Sequence, residues 1–412
     1  MSADFLPYGR QVIDDDDVAA VAAVLRGDWL TTGPTVEAFE AAFAERVRAR
    51  HAVACSSGTA GLHLLALAQG LGPGDVVVVP TVTFLATANA ARYVGADVVF
   101  ADVDPETGVM DTARFLEAVE RAPKGSVKAV FPVHLNGHCV DMPALRKAAE
   151  GLFVAEDACH ALGGDQATRS GAMVPVGACA DSDAAMFSTH PVKAIATGEG
   201  GMLTTNDDAL AERLRRFRNH GMVREERNFR NRDMAFENGD PLAAPWYYEM
   251  HEPGFNYRLN DLQCALGISQ LRRLTGFVER RRKLRERYAA LLNGMGPHVR
   301  PITVAKGCEP AWHLSVALID FAALRTTRSR VMRQLRETSI GTQVHYIPVH
   351  LQPYYRDRYE TPRLPGAELY YERCLSLPLF PTMAESDVDR VVEALAEVLG
   401  LQVAADSTGM KT

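Results

Sequence analysis

His51-Ala52-Val53-Ala54-Cys55-Ser56-Ser57-Gly58-Thr59-Ala60 is the stretch on which the fold turns. Its first half is a short apolar run of strand character. Its second half is small and hydroxyl-rich, and it opens a stretch, 59–69, whose apolar residues recur at helical spacing. The same unit repeats along the chain. Apolar or β-branched runs at 76–79, 98–103, 128–133, 153–156, 184–188 and 202–205 alternate with helical patterns such as 83–93. Strands alternating with helices in this way predict an α/β fold with a largely parallel sheet covered on both faces.

After Asn206 the pattern changes. An arginine-rich stretch, 213–232, leads into a loop-like segment, 237–245, that holds a glycine and two prolines. A long helical stretch, 261–292, carries Thr275-Gly276, read as an interruption and a domain boundary. The segments 313–319, 328–338, 342–347, 367–375 and 385–399 predict a β-α-β-α-α unit, and 404–412 a frayed end. Two domains are expected: a large one over 1–274 with an N-terminal arm, and a small C-terminal α/β one over 275–412.

Composition narrows the function. At roughly 100–200 residues per domain, 412 residues allow two to four domains. Apolar residues at 47% and charged ones at 23% are ordinary for a globular chain, so fibrous and disordered readings drop out. No run approaches the roughly 18–20 apolar residues of a membrane span, and the start, MSADFLPYGR, lacks an apolar signal core, so a cytoplasmic protein is expected. A net charge of -7 argues against nucleic acid or an anionic membrane as the partner. Any anionic ligand then needs a local site. The seven cysteines include no C-x-x-C pair, so free thiols are expected. His134 and His138 are spaced like metal ligands, but Asn136-Gly137 between them breaks a helix and no H-E-x-x-H accompanies them, so no metal is expected.

Three elements carry chemistry. Ser56-Ser57-Gly58-Thr59-Ala60 follows a strand and opens a helix, where backbone N–H groups and hydroxyls suit a phosphate; taken alone, it reads first as an ordinary strand-to-helix turn capped by Ser or Thr. Asp157 ends the apolar run 153–156, at a strand's carboxyl end where open α/β sheets bind ligands, and it could pair with a cationic ring nitrogen or cap the next helix. Glu156 should point to the opposite face. Lys193, in His190-Pro191-Val192-Lys193-Ala194-Ile195, has no charged neighbour in sequence; desolvation would lower its pKa and free its amine as a nucleophile for a Schiff base. A surface lysine is the plain alternative. Phosphate cradle, carboxylate and desolvated lysine in this order are the parts that hold pyridoxal phosphate.

With those parts in place, the sequence resembles the fold-type I sugar-nucleotide aminotransferases of the DegT/StrS kind. Nearly the whole chain shares the likeness, from Tyr8-Gly9-Arg10 through Asp28-Trp29-Leu30-Thr31-Thr32-Gly33-Pro34 to Leu375-Ser376-Leu377-Pro378. His190-Pro191-Val192-Lys193, Thr197-Gly198-Glu199-Gly200-Gly201, Pro245-Trp246-Tyr247-Tyr248-Glu249, Asn256-Tyr257-Arg258 and His345-Tyr346-Ile347-Pro348-Val349-His350 look like the branch that makes the 4-amino sugar precursor of pseudaminic acid. The resemblance implies a large, mostly parallel seven-stranded sheet domain and a smaller C-terminal domain. It implies pyridoxal 5'-phosphate as cofactor, with Lys193 its covalent anchor, Asp157 on the ring nitrogen and His160 beside the ring. Gly58, Thr59, Ala60 and Ser188 would hold the phosphate, and Phe84 would stack on the ring. Asn256 would come from the partner subunit of a homodimer with shared sites. His313, His345, Tyr346 and the segment on to His350 would face the sugar. Thr189 and Ala196 depart from that branch, which often has Phe and Thr there.

The implied reaction moves the amino group of L-glutamate to the C4 keto group of a UDP-linked 4-keto-6-deoxy-N-acetyl hexosamine. Two or three of the arginines in 213–232 would meet the diphosphate; the remainder read as a solvated face. Trp246, Tyr247 and Tyr248 read as core, interface or sugar contacts. A dehydratase on the same fold replaces the lysine with His, which Lys193 argues against. A ligand-sensing regulator would want a basic DNA-binding face, and there is no basic excess.

Overall fold

The structure, a computed structural model, describes residues 5–236 and 241–402. The loop reading at 237–240 and the frayed end at 404–412 lie outside the described residues. The strands run β1 (His51–Cys55), β2 (Val76–Pro80), β3 (Asp97–Ala101), β4 (Val127–Val130), β5 (Phe153–Asp157), β6 (Asp165–Ala167), β7 (Met173–Pro175), β8 (Ala184–Ser188) and β9 (Gly201–Thr205). Then come β10 (Met222–Val223), β11 (Glu249–Met250), β12 (Val299–Pro301), β13 (Cys308–Glu309), β14 (Ser315–Ile319) and β15 (Cys374–Leu377).

Seven of them form one sheet in the order β1-β9-β8-β5-β4-β2-β3. β9 is antiparallel to both β1 and β8, and the other pairs are parallel. β1 therefore points the same way as β8. The carboxyl ends of six strands meet along one edge. Alternation along the strands assigns each side chain to a face. Ala52, Ala54, Ala185 and Phe187 pack with Phe39, Phe43 and Leu271 from the helices Pro34–Val47 and Asp261–Asn293. Val53, Cys55, Ala184 and Met186 pack on the other side with Leu62, Leu65 and Leu214 from the helices Gly58–Gln69 and Asp208–Arg218. The expected covering of both faces is thus met.

Three readings need correction. The helix Asp261–Asn293 is unbroken over 33 residues, so Thr275-Gly276 marks no interruption. A helical glycine costs about 1 kcal/mol against alanine, which the buried stripe of Leu271, Leu274 and Val278 on either side of it outweighs. Its later residues Leu284, Tyr288 and Leu292 pack with β14 and the helix Glu385–Leu399. The segment 342–347, expected as a strand, is a loop touching the sheet through one bridge, Gln343 to Ser376. Finally, 367–375 is no single helix: the helix Pro365–Arg373 ends and β15 begins at once, pairing with β14 in an antiparallel sheet β12-β14-β15.

Candidate active site

A cavity of about 620 Å³ opens at the carboxyl edge of the large sheet, closed on one side by the loop 343–346 and by Tyr8 from the N-terminal arm. Gly58, Thr59, Phe84, Asp157, His160, Ser188, Lys193, His313, His345 and Tyr346 all line it. Residues far apart in sequence meet there because each follows a strand of the same orientation or belongs to the small unit facing that edge. Two expected members do not line it. Ala60 is buried and its N–H is taken by Ser57 Oγ at 3.1 Å, and Asn256 is exposed, bridged to Asn219.

The phosphate cradle starts with Gly58. A Cβ there would lie 3.2 Å from Ser188 Cβ, so glycine lets the helix start come against β8. Ser57 caps the helix, leaving the N–H groups of Gly58 and Thr59 to the cavity edge beside two hydroxyls. Ser188 Oγ accepts from His190 N at 3.3 Å, so its own hydrogen stays available.

Asp157, 5% exposed, is held from both sides. Thr87 Oγ1 donates to Oδ2 at 2.7 Å and Cys159 N donates to Oδ1 at 3.2 Å. The Thr87 hydroxyl, committed as a donor, accepts from Thr83 at 2.8 Å. Among the described residues this carboxylate makes no ion pair, and a buried carboxylate facing a cavity suits a protonated ring nitrogen. Glu156 points the other way, as expected, into a structural knot with His134 at 2.7 Å, Gln166 at 3.1 Å and Ser182.

Burial holds the Lys193 amine below the ordinary lysine range, opposed in part by Cys159 and Asp157. His160 and His313 are held well below the usual imidazole value by burial, and His345 is pushed down to about 3 for the same reason. The positive field of Lys193 adds to the effect on all three. Neutral imidazoles therefore form the wall, and His345 Nδ1 meets Ser376 Oγ at 2.8 Å. Phe84 is 55% exposed, an aromatic face left open at the cavity. Cradle, carboxylate, amine and open ring together fit pyridoxal phosphate.

Other expectations resolve differently. His350 does not line the cavity; it is buried with Nδ1 2.6 Å from Thr81 Oγ1. Thr189 and Ala196, the two departures, are buried outside the cavity lining, and Thr189 bonds Thr197 at 2.6 Å. No arginine is among the described lining residues. Arg218 pairs with Glu40, and Arg216 with Glu252 at 3.1 Å. Trp246 and Tyr248 are exposed, and Tyr247 packs on Phe229, so none is core of the sheet domain. Tyr8, Thr83, Thr87 and Cys159 are site residues to which the sequence reading gave no role. The i,i+4 spacing of Thr83 and Thr87 just beyond β2 was the available signal.

These features define a pyridoxal phosphate enzyme on the fold-type I scaffold. The chain belongs to the DegT/DnrJ/EryC1/StrS aminotransferase family, whose model matches residues 11–396, and it is a sugar aminotransferase. It is 40% identical over 400 residues, 96% of this chain and 97% of the relative, to the spore coat polysaccharide biosynthesis protein SpsC of Bacillus subtilis (strain 168). Among solved structures it is similar to Helicobacter pylori PseC, an aminotransferase involved in the biosynthesis of pseudoaminic acid, with TM-score 0.84, 26% identity, and 96% of this chain and 100% of that one covered. The aminotransferase TlmJ of Streptoalloteichus hindustanus matches with TM-score 0.83 and 30% identity over 96% of this chain and 99% of that one.

Proposed function

We propose that the enzyme transfers the amino group of L-glutamate to the C4 keto group of a UDP-linked 4-keto-6-deoxy-N-acetyl hexosamine, giving UDP-4-amino-4,6-dideoxy-N-acetyl-β-L-altrosamine. Likeness to PseC along nearly the whole chain supports the substrate class. One observation carries it to the site: the wall of neutral His313, His345 and Tyr346 around Lys193 offers uncharged donors and acceptors, which suit a sugar ring and not its diphosphate. The reaction runs in the cytoplasm. The higher identity to SpsC favours a second reading, another nucleotide-linked keto sugar bound for a polysaccharide.

Bound pyridoxal phosphate supplies a carbonyl carbon that takes and returns the amino group, and a ring that withdraws electrons when its nitrogen is protonated. Lys193 would hold the cofactor covalently, and its Nζ, whose pKa burial lowers, would carry the proton between the α-carbon of glutamate or C4 of the sugar and the cofactor. Asp157 would hold the proton on the ring nitrogen, Gly58, Thr59 and Ser188 would hold the phosphate, and Phe84 would shield the ring from water. Each pocket takes Asn256 from the partner of a homodimer, which explains why that residue is exposed here.

The test is a panel of UDP-, dTDP- and GDP-linked keto sugars with glutamate. The UDP-linked 4-keto-6-deoxy-N-acetyl hexosamine should give the highest kcat/KM. A higher value for any other sugar overturns the assignment and points to the SpsC-like reading.

A further inference from the structure

The loop after β4, Val133-His134-Leu135-Asn136-Gly137-His138, runs behind the cavity and reaches its lining through Val133. Asn136 is fully buried and stands in the left-handed region at φ 62. That region costs most side chains about 1–2 kcal/mol, and asparagine is among the few non-glycines that adopt it. The conformation turns both backbone groups of Asn136 toward the cavity wall. Its N–H donates to His160 Nδ1 at 3.2 Å, and its carbonyl accepts from His313 N at 3.0 Å. The side-chain amide is anchored on Tyr370 Oη at 3.0 Å. Gly137, next in line at φ 93, lets the loop press on the segment before His313, since a Cβ would sit 2.9 Å from Ala311 O. One residue thus holds the His160 imidazole and the backbone of His313, whose two rings lie 4.4 Å apart.

The direction of the bonds follows from what each group can do. A backbone N–H only donates, so Nδ1 of His160 must present its lone pair, and the neutral ring then carries its hydrogen on Nε2. Nε2 lies 3.2 Å from Tyr346 Oη. Tyr346 therefore accepts from His160, and its own hydrogen points elsewhere. Tyr346 lines the cavity, and no other hydrogen-bond partner of its hydroxyl is found among the described residues. If the Asn136 bond were lost, His160 could move its hydrogen to Nδ1. Tyr346 would then donate to Nε2, and the cavity would lose its donor.

We propose that Asn136 is a positioning residue of the transamination: through its left-handed backbone it fixes His160 as the Nε2–H tautomer and so keeps the Tyr346 hydroxyl hydrogen aimed into the cavity, at an acceptor oxygen of the bound molecules. The inference rests on the family's aminotransferase reaction and not on which sugar is aminated.

The test uses cofactor-loaded enzyme with 15N-labelled histidine, the His160 signals being identified by their loss in His160→Gln. The wild type and Asn136→Gly, which adopts the left-handed conformation freely, should show the Nε2–H form. Asn136→Val, whose branched side chain resists that conformation, should shift His160 to the other tautomer or to a mixture. The glutamate half-reaction, followed by cofactor absorbance, should show kcat down roughly tenfold in Asn136→Val and about 10²-fold in Tyr346→Phe, with KM little moved and Asn136→Gly restoring most of the rate. A change of the cofactor spectrum in substrate-free Tyr346→Phe would identify a cofactor oxygen as the acceptor; a change only with substrate would identify a substrate oxygen. The Nδ1–H form in the wild type overturns the proposal, as does a wild-type tautomer in Asn136→Val. An Asn136→Gly defect as large as that of Asn136→Val also overturns it, because the bond to Tyr370 would then be what matters. Should Asn136→Val fail to fold, the wild-type tautomer and Tyr346→Phe decide alone. Glutamate failing with the wild type would overturn the donor assignment and leave the tautomer measurement standing.

Discussion

Lys193 works as a nucleophile only when its amine is neutral, and desolvation in the cavity lowers its pKa in that direction, with Cys159 a protonated thiol beside it because burial pushes that thiol well above its usual range. Lys193→Ala removes nucleophile and proton carrier together, so turnover should fall by at least about 10²–10⁴-fold while the cofactor still binds, now without a covalent link. Borohydride reduction followed by peptide mapping checks this. Retained multiple turnover with cofactor fixed at another lysine would refute the role. A second residue tests burial away from the chemistry. His138 is 1% exposed, accepts from Ala305 N at 2.8 Å, and is pushed down to about 4. Its folded value lies below the unfolded one, so the unfolded chain binds the extra proton and stability rises with pH across the window between about 4 and about 6.5. Going from pH 8 to pH 5 should therefore cost the wild type about 2 kcal/mol more than His138→Gln, measured by denaturant unfolding. Equal losses in the two proteins would place the titration elsewhere.

Elements, not single side chains, bring the site together, and the close contact between the helix start at Gly58 and the end of β8 is one of them. Gly58→Ala adds a methyl 3.2 Å from Ser188 Cβ, and neither backbone can yield freely. Overpacking costs about 1–3 kcal/mol, so the Kd for pyridoxal phosphate, read by fluorescence titration of the apoenzyme, should rise roughly tenfold or more. An unchanged Kd would remove Gly58 from the cradle. The seven strands of the large sheet were legible because each is a short apolar run between turn signals; β1 and β8 have the expected bounds, and others shift at their ends, as β3 does to Asp97–Ala101. The small unit was less legible. Cys374-Leu375-Ser376-Leu377 follows a helix without any breaker, and only its pairing with β14 makes it a strand. Periodicity could not reveal that, because the deciding hydrogen bonds come from residues about sixty positions earlier in the chain. The same limit hid Asn136: its spacing ruled out a helix, but nothing local shows that its N–H meets His160.

At the scale of the whole molecule, Asn256 is exposed, no arginine is among the described lining residues, and Leu242, Trp246, Tyr248 and Met250 lie exposed in the stretch that precedes Asn256. An exposed apolar surface of this kind is what a partner would cover. If each pocket takes Lys193 from one subunit and Asn256 from the other, the two-fold dimer must be isologous and both pockets are built alike. Lys193→Ala and Asn256→Ala homodimers should then each be impaired, the first completely. After subunit exchange, a mixed dimer has one pocket with both lesions and one with neither. Random exchange makes about half the dimers mixed, so about a quarter of all pockets should regain full glutamate-dependent amination. If Asn256 served the Lys193 of its own chain, every pocket would keep one lesion and mixing would restore nothing. Differently tagged subunits report whether exchange took place, and each mutant alone sets the baseline. Exchange without recovery would rule out the shared site and leave Asn256 as a residue of the surface.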